Sequence, residues 1–390
     1  MAGRMKVNYL TGYMSPHLLP LLNALGEHPE IDLTAWYCNA DTGLRGWTHG
    51  LKPTHKFVIS TKRPIPWIHP EFHLDGSIRN FIDEHRSDLT VVSEYDIPTL
   101  RLAIAHLHRR HHAWVLRGER PVLWQQSLLR SLLGNIMRHR PLRTAAAIIA
   151  NGEKNAEIYR ELCPWGTPVY SVPYYLDAEA YNYSREQGRN GFAESTGKQL
   201  ANDDFVFIFA GDLIVRKGVM MLVEAFNRVA ENLPHTLLCI IGDGPERQEM
   251  ERTLKERISK RVFFLGKVDF EKVPLLYRSG NAFVFPTQFD GWGMVVNEAM
   301  ASSLPVVTTA ACGAAHDLVI EGENGYIVST HDMKGLTEHM TFLAQHPDIA
   351  CRMGQRSRDI IKKHSPLHGA ERMYKILSEI YTLNKNESLA

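Results

Sequence analysis

The chain has 390 residues, 44% of them hydrophobic and 22% charged, with a net charge of +1. That length exceeds one comfortable core and predicts two domains, and the near-neutral charge gives no reason to expect a nucleic acid partner. The five cysteines (Cys38, Cys163, Cys239, Cys312, Cys351) are dispersed without a Cys-x-x-Cys pair, and no apolar run reaches 18 residues. The expectation is a cytoplasmic protein with reduced thiols and no membrane span. The opening MAGRMKVNYL runs straight into a strand pattern, with no apolar segment of signal-peptide length.

In chain order, MKVNYL precedes a helix-like PHLLPLLNALGE, and DLTAWYC, LTVVS, HAWVLRG and AAAIIANG follow as strand candidates. In the second half the candidates are FVFIFAG, HTLLCIIGDG, RVFFLG, NAFVFPT, LPVVTTA and GYIVS. Near-continuous apolar runs separated by helical stretches predict parallel strands covered on both faces. The fold class expected is α/β, with two doubly wound Rossmann-like domains and a ligand site in the cleft between them. Between about 176 and 203 the chain is polar, rich in Gly, Asn and Ser, and without sustained periodicity. This places the domains at 1–190 and 191–365, with a final helix over 366–390 returning to the first.

One stretch is charge-asymmetric. Residues 101–143 hold nine arginines (Arg101, Arg109, Arg110, Arg117, Arg120, Arg130, Arg138, Arg140, Arg143) against one acid, Glu119. Leucines at helical spacing in LWQQSLLRSLLGNIMRHRPLR fit either a helix lying on an anionic membrane surface or a solvated basic face. HLHRRHH offers His108 and His112 as zinc ligands, but arginines at that density disfavour a cation. No Asp-x-Asp occurs, so no metal and no cofactor are expected.

The second half carries turns suited to phosphate. After FVFIFAG, which ends in Gly211, Arg216 and Lys217 sit where a strand end and a helix N-terminus converge. There they can neutralise a diphosphate, or stand as ordinary loop cations. GDGP (Gly242 to Pro245) is a glycine turn between strand and helix; Arg247 takes the place of the last glycine of a dinucleotide fingerprint. In FPTQFDGWGMVVNEAM, Gly291 and Gly293 allow a ligand close to the backbone, ahead of a helix beginning near Met294 and Val295. Asp290 and Glu298 bracket that turn. Carboxylates accept hydrogen bonds from sugar hydroxyls; the alternative is that Asp290 caps the turn while Glu298 pairs with a cation.

Together these segments resemble the C-terminal domain of GT-B glycosyltransferases of the large retaining family 4. The matching motifs are GDLIVRKG (211–218), GDGP (242–245), VFFLG (262–266), DGWGMVVNEAMASSLPVV (290–307) and GAAHDLVIEGENGYIV (313–328), in order. IIANGEKNAEIYRELC (148–163) and VPYYLD (172–177) match more loosely. The resemblance implies a nucleotide-diphosphate sugar as donor. Lys217, helped by Arg216, would neutralise its diphosphate with the amides around Gly293 and Met294. Glu298 would hold the ribose, Asp290 the donor sugar, and the base would lie near Gly266, Lys267 and Val268. Acceptor-side candidates are Gly12, His17 (with Ser15 capping a helix), Tyr95, Asp96 and Glu119.

The implied reaction transfers a hexose-type sugar with retention to a glycan or lipid-linked acceptor in cell-envelope polysaccharide or lipopolysaccharide synthesis. A peripheral contact with anionic membrane is compatible with it. Alternatives are a non-catalytic nucleotide-sugar-binding subunit of a polysaccharide assembly complex, or a nucleotide-sugar 2-epimerase. Three departures from the family pattern stand out: Asp290 replaces the first Glu of E-x7-E, Asp212 replaces the usual Arg, and the family's usual catalytic histidine has no clear counterpart.

Overall fold

A computed structural model describes residues 3–39, 52–62, 72–119 and 141–387. The chain divides into two compact units, Met1–Tyr175 with Pro366–Ala390, and Leu176–Ser365. The expected change of domain at 190/191 falls instead inside the helix Arg185–Thr196. That helix packs closely on the helix Val273–Ser279 of the second unit: a Cβ on Gly188 would come within 2.5 Å of the Arg278 carbonyl carbon. Its polarity reflects a face turned to solvent, and its small residues a face pressed against a neighbour.

In the first unit the strands are β1 Met5–Tyr13, β2 Ile31–Asn39, β3 Lys56–Ile59, β4 Leu89–Val92, β5 Trp114–Gly118, β6 Ala147–Ala150 and β7 Val169–Ser171. They form one sheet in the order β3-β2-β1-β4-β5-β6-β7, all parallel, with Leu10 opposite Val92 across β1 and β4. The side chains alternate faces. Val7, Tyr9, Val91, Val115 and Ile149 face a core completed by the helices Leu19–Glu27 and Pro366–Glu387, through Leu22, Leu25, Met373 and Leu377. Leu10, Val92, Leu116 and Ile148 face the other side, against Phe81, Leu100, Leu107 and Tyr159. Burial on both faces is why these runs are mainly apolar; each such leucine contributes about 1.5–3 kcal/mol.

The second unit repeats the plan with β8 Phe205–Ala210, β9 Thr236–Ile241, β10 Val262–Gly266, β11 Ala282–Phe285, β12 Val306–Thr309 and β13 Gly325–Val328. Their order is β10-β9-β8-β11-β12-β13, again all parallel. The strand order therefore reverses between β8 and β11 here, and between β1 and β4 in the first sheet. In doubly wound sheets such reversals open a crevice at the carboxyl ends of the strands, where loops diverge and ligands bind.

Candidate active site

At the reversal of the second sheet, the loops after β8 and β11 bring two charges together. Lys217 ends a single helical turn, Val215–Lys217, and Gly218 then adopts φ +69° to start the helix Val219–Asn232. A Cβ on Gly218 would lie 1.8 Å from the Pro286 carbonyl oxygen, so only glycine lets this turn close onto the end of β11. Backbone bonds fasten the two loops: Gln288 N–H donates to the Arg216 carbonyl at 2.7 Å, and the Thr287 hydroxyl donates to the same oxygen at 2.9 Å. The Lys217 ammonium donates to the Asp290 carboxylate, with both side chains largely buried. The ammonium also lies 5.0 Å from the centroid of the Phe285 ring.

Arg216 stands beside this pair. Its guanidinium is half-exposed, donates to the Phe289 carbonyl at 3.0 Å and stands 3.9 Å from Asp290. It braces the loop that carries Asp290.

The next element is the helix Met294–Ala301. Gly293 precedes it at φ +93°, where a Cβ would clash with Cys312 Sγ at 2.7 Å, and no side chain caps the first turn. Gly291, Met294 and Val295 line this start half-buried. Amides of an uncapped first turn, with the helix dipole behind them, favour an anion. Asp290 itself is held by the next strand's loop, its N–H donating to the Ala311 carbonyl at 3.1 Å.

Glu298 is one turn further into that helix and is buried. The Tyr277 hydroxyl donates to its Oε2 at 3.0 Å. The Tyr181 hydroxyl is buried close enough to feel the Glu298 charge, without a hydrogen bond of its own. Burial pushes the Glu298 carboxyl up to about 7, and the nearby hydroxyls of Tyr277 and Tyr181 offset only part of that rise. The cation considered as a partner for Glu298 belongs instead to Asp290, and Glu298 sits among phenols. The reason is geometric, because Asp290 faces Lys217 across the strand reversal while Glu298 points into the packing between helices.

Three glycines mark the ends of β8, β9 and β10. Gly211 N–H donates to the Ile241 carbonyl at 2.9 Å and Gly242 N–H to the Gly266 carbonyl at 2.8 Å. A Cβ on Gly242 would meet Gly211 O at 2.0 Å, so this edge is bare backbone. Lys267 follows exposed and Val268 half-buried.

In the first unit, Gly12 on β1 donates its N–H to Glu94 Oε2 at 3.1 Å, across the reversal between β1 and β4. Tyr95 is half-buried, its carbonyl accepting from Arg101 Nε at 2.6 Å, while Asp96 is exposed. Glu119 follows β5 and accepts from the Tyr174 hydroxyl at 2.9 Å. Ser15 does not cap a helix as expected: the helix begins at Leu19, and the Ser15 hydroxyl instead accepts from the His17 N–H at 3.2 Å in a preceding turn. The two histidines weighed and disfavoured as zinc ligands lie apart as well. The helix Pro98–Arg109 stops before His112, whose Nε2 meets Thr90 Oγ1 at 3.1 Å, so His108 and His112 do not share a helical face. Among the described residues, Asp203, Asp204 and His235 alone bring three possible metal ligands within 4.8 Å. They lie at the opposite, amino end of β8. The basic stretch 123–143 lies outside the described residues except for its last three positions.

Reading the sequence by motif missed Glu94, Arg117, Asn151, Tyr174, Tyr181 and Tyr277. A signal existed for Arg117, a charge inside the apolar strand WVLRG, since a charged residue in a buried run is the informative exception. The phenols carry no comparable mark.

These two sheets define the class: an α/β protein of the GT-B glycosyltransferase fold. The chain matches the crystal structure of Anabaena HepE in complex with UDP with a TM-score of 0.73 at 18% identity, over 96% of this chain and all of that one. Residues 192–360 match the model of the family glycosyl transferases group 1. It is 30% identical over 182 residues to the capsular polysaccharide biosynthesis glycosyltransferase CapM of Staphylococcus aureus, covering 45% of this chain and 46% of that protein. It is 27% identical over 175 residues to an uncharacterized glycosyltransferase of Methanocaldococcus jannaschii, covering 44% and 48%. The chain thus spans about half the length of these relatives. Among the described residues, no helix is long and apolar enough to cross a membrane.

Proposed function

We propose that this chain is a retaining glycosyltransferase that moves a hexose-type sugar from a nucleotide-diphosphate donor to a glycan or lipid-linked acceptor of the cell envelope. The observation that carries the reading is the meeting of Lys217 and Asp290 at the strand reversal, beside the uncapped start of Met294–Ala301. An ammonium has three N–H donors, so Lys217 can keep Asp290 and still donate to a diphosphate oxygen. The first-turn amides supply the other contacts, and Glu298 in its ionised form accepts from ribose hydroxyls. The matched UDP complex and the capsular relative support this donor and acceptor class.

In the transfer, the bond from C1 to the phosphate oxygen breaks as the acceptor oxygen bonds C1 from the same face. The departing phosphate oxygen takes the acceptor's proton. Negative charge grows on the leaving diphosphate, where Lys217 and the helix amides are already in place; such preorganised donors are worth several kcal/mol. No metal or cofactor is part of the proposal. A peripheral membrane contact through 123–143 accompanies it, and failure to float with anionic liposomes would remove that part.

A thermal-shift panel of nucleoside diphosphates and their sugars, followed by transfer of radiolabelled sugar with the selected donor, tests the reading. Stabilisation by one nucleotide and labelled product are expected. Epimerised donor in the absence of acceptor, or unchanged turnover by Lys217→Ala, would overturn it.

A further inference from the structure

Beside Glu298 lies a second phenol that the transfer just described does not use. Tyr181 ends a single helical turn, Ala178–Tyr181, soon after the chain leaves the first unit at Tyr175. Its side chain is 2% exposed, and its hydroxyl has no hydrogen-bond partner. A buried hydroxyl left unmatched keeps its full desolvation cost. Such an orphan is tolerated where another state of the protein supplies the partner.

The group it faces says which state. The charge of Glu298 reaches the hydroxyls of both Tyr181 and Tyr277, and Tyr277 already donates to Oε2 at 3.0 Å. Among the described residues, these two phenols alone act on the carboxyl by charge or hydrogen bond. A protonated carboxyl is itself a donor, whereas an ionised one only accepts, at about four sites. Ribose hydroxyls that donate to Glu298 favour its ionised form, and that form has room for one phenol more. Tyr181 is the donor in reach.

The turn that carries Tyr181 is fastened to the end of the same helix. Arg278 Nε donates to the Tyr183 carbonyl at 2.9 Å and its Nη1 to the Ser302 carbonyl at 3.2 Å. Arg358 Nη1 donates to the Ala301 carbonyl, and its Nη2 stands 3.6 Å from Glu179 Oε1. Each guanidinium thus bridges the place where Met294–Ala301 ends to the segment after Tyr175. At the start of that segment Leu176 N–H donates to the His364 carbonyl at 3.1 Å, next to the point where the chain returns to the first unit. Leu176, Glu179 and Tyr183 are tied down; the Tyr181 hydroxyl between them is not yet engaged.

We infer that Tyr181 is a positioning residue for Glu298: its hydroxyl donates to the carboxylate when a ribose occupies it, and that bond tightens residues 176–185 against the nucleotide helix. The inference rests on the proposed ribose contact of Glu298. By linkage, the order that nucleotide adds to the segment is returned as affinity for nucleotide.

Hydrogen exchange of the 176–185 amides tests this on the full chain, free and saturated with ligand. The N–H groups of Glu179, Ala180, Asn182 and Tyr183 are hydrogen-bonded within the segment, so their exchange reads its opening. The probes are uridine, guanosine and adenosine diphosphate, the 2′,3′-dideoxy counterpart of the tightest binder, and inorganic pyrophosphate. The ribonucleotide slows exchange about tenfold, the worth of one hydrogen bond to a charged group, and the other two probes do not. Tyr181→Phe loses the slowing and binds the ribonucleotide about tenfold more weakly, with affinity for the dideoxynucleotide unchanged. Its unliganded melting midpoint is not lowered, because only an unmatched hydroxyl is gone. Tyr277→Phe saturated with ribonucleotide keeps the slowing.

Equal slowing by pyrophosphate or the dideoxynucleotide, or slowing that survives in Tyr181→Phe, would overturn the inference. So would a Tyr181→Phe midpoint that falls while ribonucleotide affinity holds. If Tyr181→Phe does not fold, the ribonucleotide and dideoxynucleotide comparison on wild type decides. Binding of none of the three nucleoside diphosphates would remove the donor reading and this inference with it, whereas binding without slowing removes this inference alone.

Discussion

Glu298→Gln separates what this residue costs the fold from what it does for the ligand. A carboxyl raised from 4.5 to about 7 by burial is ionised in the folded state only at a cost of about 3 kcal/mol. The sign follows from proton counting. Below 4.5 both states are protonated and nothing is lost; between 4.5 and about 7 the unfolded chain has released a proton that the folded one keeps. Stability therefore falls as pH rises through that window and levels off above it. Glutamine has the same shape, still accepts the Tyr277 hydroxyl bond through its carbonyl oxygen, and never ionises.

Relative to wild type the variant gains about 3 kcal/mol at about pH 8 and about 1 kcal/mol at about pH 5. For domains of 150–250 residues, the range into which Leu176–Ser365 falls, this raises the melting midpoint by about 6–12 °C and about 2–4 °C respectively. Differential scanning calorimetry of both proteins at the two pH values reads it directly, and calorimetric titration reads the expected weaker nucleotide binding. A midpoint difference that is absent at high pH, or equal at both, would refute the idea that an ionised Glu298 is held against its preference.

Four further outcomes are expected. Lys217→Ala lowers kcat on the order of a hundredfold or more in the labelled-donor assay, because it removes the fixed cation from the leaving diphosphate. Tyr277→Phe removes a hydrogen bond to the charged carboxylate, so the pH midpoint of nucleotide affinity moves upward, as a titration series by calorimetry would display. Gly218→Ala, facing the Pro286 carbonyl and φ +69°, destabilises the second unit by about 2 kcal/mol or more in chemical denaturation. Asp290→Asn keeps the loop's size but frees Lys217 from its ion pair, and lowers turnover more than it lowers the melting midpoint.

The layered plan was legible because parallel strands covered on both faces favour near-continuous apolar runs, and β6, β8 and β11 are apolar at every position. The two strands overlooked are sheet edges. Lys56–Ile59 is exposed or half-exposed throughout and Val169–Ser171 is three residues long, so neither leaves a buried run to read. The glycine turns were legible too, since a position where a Cβ would come within 2.0 Å of another backbone oxygen has one choice of residue. Pairings were not. Lys217 and Asp290 are 73 positions apart, and only the reversal of strand order brings them together. Likewise Tyr181 and Tyr277 reach Glu298 from elements with no motif of their own, and Arg117 hid in a run of arginines whose other members gave it a surface reading.

The helix Pro366–Glu387 belongs to the first unit, where Ala370, Met373, Leu377 and Ile380 complete the core against Leu19, Leu22 and Leu25. This reverses the usual order of assembly on the ribosome, in which the N-terminal domain finishes first. The nascent chain has every residue of the second unit in hand before it has the last wall of the first. Until residue 366 is made, the leucines that await this helix face water or a chaperone. A premature stop near the end of the message therefore injures the beginning of the protein, and spares the half that holds Lys217 and Glu298.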